Sequence, residues 1–174
     1  MKEGIYENYP VWVVILSNST MLIGYAIGAI ILAEFGILVA IAYLIFCPVL
    51  MIILMKNGCN YCYYHGKWCG DGKGKMVPLF FKKRYDRDFS KMEFSNWDVF
   101  LVFLPTILPV IGAIVLLLIN LSWIMLILLV LCIAIGLISI IVMHGALICK
   151  HCKQGRIGCP AGAGQRFMKE LKEE

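Results

Sequence analysis

The sequence predicts an all-α integral membrane protein with four transmembrane helices, arranged as two tandem hairpins that are each followed by a cysteine-rich loop. Three observations predict this fold class. Hydrophobic residues make up 61% of the 174 residues and charged residues only 16%, whereas a typical soluble domain is about 45 to 50% apolar. The apolar residues form two long runs, 11–55 and 97–148, and one cysteine pattern follows each run.

Each apolar run is long enough for two spans, because a helix needs about 20 residues to cross a hydrocarbon core of about 30 Å. The first run is interrupted at 33–36, which contains its only charged residue, Glu34, and a turn-forming glycine. The second is interrupted at 120–123, where Asn120 and Ser122 precede an interfacial tryptophan. The predicted spans are about 11–32, 36–55, 98–119 and 123–147.

The cysteine pattern CxxCx6CxxGxG occurs twice at an offset of 90 residues. Its first copy is Cys59, Cys62, Cys69, Gly72 and Gly74, and its second copy is Cys149, Cys152, Cys159, Gly162 and Gly164. A fixed period indicates a repeated supersecondary unit. We therefore divide the chain into repeat unit 1 (1–75, cysteine loop 59–74), a linker (76–96) and repeat unit 2 (97–174, cysteine loop 149–164 and a charged tail).

The distribution of cations predicts the orientation in the bilayer. All 16 lysines and arginines lie in the N-terminal segment, the central segment 56–96 or the C-terminal tail, and neither short turn has any. Four spans place these three regions on one side, which the positive-inside rule makes cytoplasmic. We expect a multi-pass cell-membrane protein with a cytoplasmic N-terminus, cysteine loops and C-terminus. Because the cations flank spans, we expect the lipid bilayer, and not a nucleic acid, to be their partner.

The linker 76–96 has an amphipathic character. Aromatic and apolar residues at 76–81 are followed by dense charge at 82–88. This order predicts a short helix at the membrane interface with its cations toward anionic head groups. A plain solvated linker is the alternative.

Two features inside the first span predict helix packing. Gly24 and Gly28 form GxxxG, which lets helices approach closely within a bundle or between chains of a homo-oligomer. The polar patch 17–20 is expected to form interhelical hydrogen bonds or to line a small polar cavity.

The six patterned cysteines predict a metal centre in each loop. Two thiolates at CxxC spacing lie on one tight turn, and the third cysteine can return to the same centre. The candidate ligands are Cys59, Cys62, Cys69, Cys149, Cys152 and Cys159, with His65 as a further candidate in the first loop. Cytoplasmic thiols normally stay reduced, so a disulfide framework is not expected. Zinc and an iron–sulfur cluster both suit the donor set, and the spacing does not choose between them.

The sequence favours a binding or redox protein over an enzyme, and it predicts no catalytic residue. The first hypothesis is a membrane-anchored electron-transfer or assembly subunit with two cytoplasmic three-cysteine metal or iron–sulfur sites. The second is a structural zinc-knuckle subunit that docks a cytoplasmic or membrane protein partner. The third is a small soft-metal transporter, although no Asp, Glu, Lys, Arg or His lies deep in any predicted span.

Overall fold

The computed structural model describes residues 4–85, 89 and 96–159. This part of the chain is helical, and its only β-type pairing is a single parallel bridge between Tyr6 and Cys152. The α-helices are α1 (Val11–Ala33), α2 (Ile37–Leu54), α3 (Lys73–Phe80), α4 (Asn96–Ile119), α5 (Trp123–Ile138) and α6 (Lys153–Gly158).

Two of these helices continue as π-helices toward the cysteines. Helix α2 passes into the π-helix Met55–Cys59, and α5 passes into the π-helix Ser139–Ile148 and the 3-10 turn Cys149–His151. The π-helix is rare and commonly occurs at functional sites. The wider helical turns therefore lead directly into the first cysteine of each pattern.

The four predicted spans are confirmed as helices long and apolar enough to cross a membrane: Val11–Ala33, Ile37–Cys59, Phe100–Ile119 and Trp123–His151. Only 11% to 22% of each span is buried within the chain. The remaining apolar side chains would face lipid, as expected of a multi-pass membrane protein. The tandem repeat and the orientation stay predictions.

The two tight turns lie where the sequence predicts them. Helix α1 ends at Ala33, and Gly36 precedes α2 with a φ of 129°, a conformation that side chains other than glycine rarely adopt. Helix α4 ends at Ile119, and α5 begins at Trp123 after the polar residues of the second break. Each pair of helices therefore forms a hairpin.

Helix α1 packs against α2, α4 and α5, and α4 also packs against α2 and α5. Ile31, Ala113 and Cys132 form the buried core between α1, α4 and α5. Cys47 is buried with Leu32 and Tyr43 in a second cluster between α1 and α2. The two cysteines outside the repeated pattern thus occupy apolar packing positions.

One hydrogen bond compensates for a proline in α4. Pro109 has no N–H, so the carbonyl of Pro105 lacks its usual helical donor, and the Tyr43 hydroxyl donates to that carbonyl at 2.7 Å. A Cβ atom on Gly28 would lie 2.6 Å from the Tyr43 hydroxyl oxygen, whereas a Cβ on Gly24 would meet α5 at an ordinary 3.6 Å. Gly28 of the GxxxG pair therefore serves packing within the bundle.

The linker contains a short helix, but its position differs from the prediction. Helix α3 begins at Lys73, inside the first cysteine pattern, and ends at Phe80, before the charged residues. Gly72 starts it with a φ of 74°. Residues 81–85 continue without helical structure, and 86–88 and 90–95 lie outside the described residues. The helix therefore begins earlier because the glycine-rich end of the first pattern provides its left-handed start.

Candidate functional site

The six patterned cysteines lie in two loops at the same end of the bundle. In the first loop, Cys59 ends the π-helix after α2, and Cys62 and Cys69 lie in the turns that follow. In the second loop, Cys149 begins the 3-10 turn, Cys152 follows it, and Cys159 follows α6. All eight cysteines are among the described residues, and none of them forms a disulfide. The patterned cysteines are partly buried, whereas Cys47 and Cys132 are buried.

The two loops contact each other directly. The backbone N–H of Tyr63 donates to the Gln154 side-chain oxygen at 2.7 Å, and the backbone N–H of Lys153 donates to the Tyr64 hydroxyl at 3.0 Å. A Cβ atom on Gly70 would lie 2.6 Å from the Ile148 side chain, so this glycine permits close packing. The loops therefore form one layer, which we call the cysteine layer (59–72 and 149–159).

The N-terminal segment Gly4–Pro10, here called the strap, binds both loops. The Tyr6 N–H donates to the His151 carbonyl at 3.1 Å, and the Tyr6 carbonyl accepts from the Tyr64 hydroxyl at 2.6 Å. The Tyr9 N–H donates to the Trp68 carbonyl at 2.9 Å, and the Tyr9 hydroxyl donates to the Ile148 carbonyl at 2.6 Å. The strap thus joins segments that are far apart in sequence.

Glu7 adds charged contacts between the strap and both loops. Its carboxylate accepts hydrogen bonds from the Lys153 ammonium and the Tyr63 hydroxyl, and Lys67 lies 3.8 Å away. The hydrogen bonds from Lys153 and Tyr63 lower the pKa of Glu7. Because Glu7 is exposed, these contacts orient the strap more than they stabilise it.

A tyrosine-rich core lies beneath the cysteine layer. Tyr9, Val13, Val14, Tyr64 and Ile148 are buried together there. Cysteines of both loops, namely Cys62, Cys69 and Cys152, pack against this core. Thiols from the two halves of the chain therefore share one apolar support.

Backbone N–H groups point at two of the sulfur atoms. Gly74 donates to the Cys69 Sγ at 3.1 Å, and Gly155 donates to the Cys152 Sγ at 3.4 Å. A Cβ atom on Gly74 would lie 2.3 Å from the Tyr64 carbonyl oxygen, so only glycine fits there. Such N–H donors also stabilise thiolate sulfur in metal centres.

Burial disfavours ionisation of two thiols of the first loop. Burial raises the pKa of Cys62 to about 12, against the opposing effect of a hydrogen bond from the Tyr64 backbone. Burial and the nearby Asp71 carboxylate raise the pKa of Cys69, while the Gly74 N–H acts in the opposite direction. Metal ligation would require these thiols to lose their protons.

The described residues contain no group of three or more His, Cys, Asp or Glu side chains that could hold a metal ion. The histidines have other partners: His65 Nε2 lies 3.1 Å from the Phe81 carbonyl oxygen, and His151 Nδ1 lies 2.9 Å from the Gly4 carbonyl oxygen. The donor set suits a soft metal, but the thiols are not gathered around one point. The predicted ligands, including His65, therefore stay predictions.

The sequence did not predict the polar network around Asp71. The Ser17 hydroxyl donates to the Asp71 carboxylate at 2.9 Å, and Lys73 lies 3.3 Å and His144 3.9 Å from that carboxylate. Burial opposes ionisation of Asp71, but Lys73, His144 and Ser17 outweigh it and lower the pKa to about 2. Asn18 also donates to the Asp71 backbone carbonyl at 3.2 Å. The network fixes the first loop to spans 1 and 4.

One signal of this network was visible in the sequence. The polar patch 17–20 was expected to form interhelical hydrogen bonds, and two of its side chains instead bind a loop residue. The strap gave no comparable signal, because it is too short to show a hydrophobic period.

Together, the four long apolar helices are those of a multi-pass membrane protein, and the two cysteine-bearing segments contact each other. The chain shows no significant match to a protein-family model, a curated protein or a solved structure.

Proposed function

We propose that this protein is a membrane-anchored subunit that binds a soft metal or an iron–sulfur cluster through its cysteine layer on the cytoplasmic side. The observation that carries the proposal is the joining of two distant cysteine loops into one layer. Tyr63 and Gln154 connect the loops directly, and Cys62 and Cys152 pack on the same core. Cysteine thiolates are the preferred protein ligands of zinc and of iron–sulfur clusters.

The surroundings of the sulfur atoms support ligation. Gly74 and Gly155 supply N–H donors to Cys69 and Cys152. Lys73 lies beside Asp71 and contributes positive charge near the first loop, which would offset part of the charge of thiolates. Binding would include closure of the loops, since the thiols must move together to share a metal.

The test is the metal content of the full chain, purified anaerobically in detergent. We expect bound metal in the wild-type protein and its loss in the double variant Cys62→Ser with Cys152→Ser. The matched control is Cys47→Ser with Cys132→Ser, which removes the same number of thiols from the span interior. Metal-free wild-type protein, or equal metal loss in both double variants, would contradict the proposal.

The identity of the metal separates two roles. Iron with acid-labile sulfide and visible absorption would support electron transfer or cluster assembly at the membrane. Colourless protein with bound zinc would support a structural role, in which the metal fixes the loops for docking a partner. The second role is favoured by the strap, because Tyr6 and Tyr9 already hold the loops in a defined arrangement.

A further inference from the structure

The start of α3 lies at the level of the membrane edge. Gly72 approaches Val14, since a Cβ there would lie 2.8 Å from a Val14 methyl group, and Asp71 accepts from Ser17. Ser17 precedes Glu34, at the opposite end of α1, by 17 residues, which is about 25 Å of helix. A hydrocarbon core of about 30 Å that ends near Glu34 therefore reaches beyond Ser17, to the level of Val14. Helix α3 thus begins at the depth of the hydrocarbon edge.

The two faces of α3 differ in burial. Gly74 and Val77 face the first cysteine loop and are buried. Met76, Leu79 and Phe80 are turned away from this loop far enough to leave 42%, 79% and 53% of their surfaces exposed. An exposed apolar face on a helix at the membrane edge is typical of an interfacial helix.

Cations follow this apolar face and are held close to it. Lys82, Lys83 and Arg84 are exposed and immediately follow the helix. Two contacts fix this segment to the first loop, because His65 Nε2 lies 3.1 Å from the carbonyl oxygen of residue 81 and the Arg84 N–H donates to the Asn60 carbonyl at 3.1 Å. The positive charges therefore stay near the lipid-level helix.

We propose that α3 and residues 81–85 form a binding site for an anionic phospholipid of the surrounding bilayer. An acyl chain lies against Met76, Leu79 and Phe80, and Lys82 and Lys83 bind the phosphate. A lipid fits this surface better than an acidic protein does, because the apolar side chains belong to a helix that begins at the depth of the hydrocarbon edge and the cations follow them directly. The site is independent of the proposed metal centre.

Native mass spectrometry of the full chain tests the site, with phosphatidylglycerol and phosphatidylcholine supplied in equal amounts. We expect the wild-type protein to retain phosphatidylglycerol preferentially. The double variant Lys82→Ser with Lys83→Ser should bind it about 30-fold more weakly, from the usual contribution of a lysine near an anionic surface. Leu79→Ser should weaken binding of both lipids.

The matched control is Arg156→Ser with Ile157→Ser, which removes an exposed cation and an exposed apolar side chain from the second loop. This control should retain phosphatidylglycerol as the wild type does. Equal retention of the two lipids by the wild type, or equal loss in the control, would overturn the proposal. Retention unchanged in the lysine variant would also overturn it, because the phosphate would then be bound elsewhere.

If a variant fails to fold, the melting temperature of the wild-type chain provides a second test. Phosphatidylglycerol added to detergent-purified protein should raise its melting temperature more than phosphatidylcholine does, and the difference should shrink at high salt because screening weakens the phosphate contacts. Equal shifts with both lipids would overturn the proposal without any variant.

Discussion

Replacing Tyr64 by phenylalanine should open the cysteine layer. The Tyr64 hydroxyl donates to the Tyr6 carbonyl at 2.6 Å and accepts from the Lys153 N–H at 3.0 Å. This hydroxyl, which belongs to the first loop, therefore bonds both the strap and the second loop. The ring is only 1% exposed and keeps its packing in the variant, so the change removes two hydrogen bonds and little else.

The loss in free energy that holds the cysteine layer closed follows from the two backbone groups that lose their hydrogen-bond partner. An unpaired buried N–H or carbonyl costs about 1 to 3 kcal/mol, and the Tyr6 and Lys153 groups are only partly buried. We therefore expect the two groups together to destabilise the closed layer by an amount near the lower end of this range, about 2 to 3 kcal/mol in total. If the loops reclose faster than their thiols react with maleimide, the population of the open cysteine layer should rise about 30- to 150-fold. The thiol labelling rate should rise by the same factor.

Maleimide labelling read out cysteine by cysteine with mass spectrometry measures this opening. Cys62 and Cys152 should react faster in the variant, whereas Cys47, inside the bundle, should not change. Tyr85→Phe is the control, because that tyrosine is 81% exposed. A Tyr64→Phe labelling rate equal to that of the control would refute the view that the strap and loops form one cooperative layer.

Three further changes probe the bundle and the first loop. Gly28→Ala should lower the unfolding free energy by more than about 1 kcal/mol, because the new methyl group displaces the Tyr43 hydroxyl. Gly24→Ala should be neutral or stabilising. SDS-induced unfolding measures both variants. Tyr43→Phe should lower the unfolding free energy from the same measurement by about 1 kcal/mol, and no change would mean that the Pro105 carbonyl finds another donor. Asp71→Asn should speed labelling of the first loop, because the ion pair that fixes it is lost. The lowered pKa of Asp71, about 2, means that its contribution to stability is complete above its ordinary pKa near 4 and is lost as the pH falls toward 2. The melting temperature should therefore drop more in that window in the wild type than in Asp71→Asn, which keeps only the acid sensitivity of groups such as Glu7.

The spans and turns could be predicted because the bilayer imposes a simple constraint. Backbone groups in lipid must bond within a helix, so length and hydropathy nearly determine the element. Glu34 with Gly36, and Asn120 with Ser122, interrupt the two apolar runs near their middles, and the helices end next to them. The tight turns follow from the same logic, because a charged or polar residue must return to water.

The cysteine layer could be predicted only in part. Spacing indicated two chemically equivalent loops on one side, but not the contact of Gln154 with Tyr63 or the role of Tyr6 in holding both. These bonds join residues that are distant in sequence, and no local pattern records them. The start of α3 was also missed, because the glycine that begins it at Gly72 was assigned to the metal loop.

The long-range bonds have a consequence for the order of assembly. The Tyr9 hydroxyl binds the Ile148 carbonyl, and Glu7 binds Lys153, so the N-terminal strap is completed by residues that follow the fourth span. The first loop emerges far earlier than these partners, and its thiols gain their shared core only when Ile148 is in place. Contacts of such sequence separation form late in folding. A metal centre in this layer would therefore be completed only after all four helices are inserted, which links metal loading to a finished bundle.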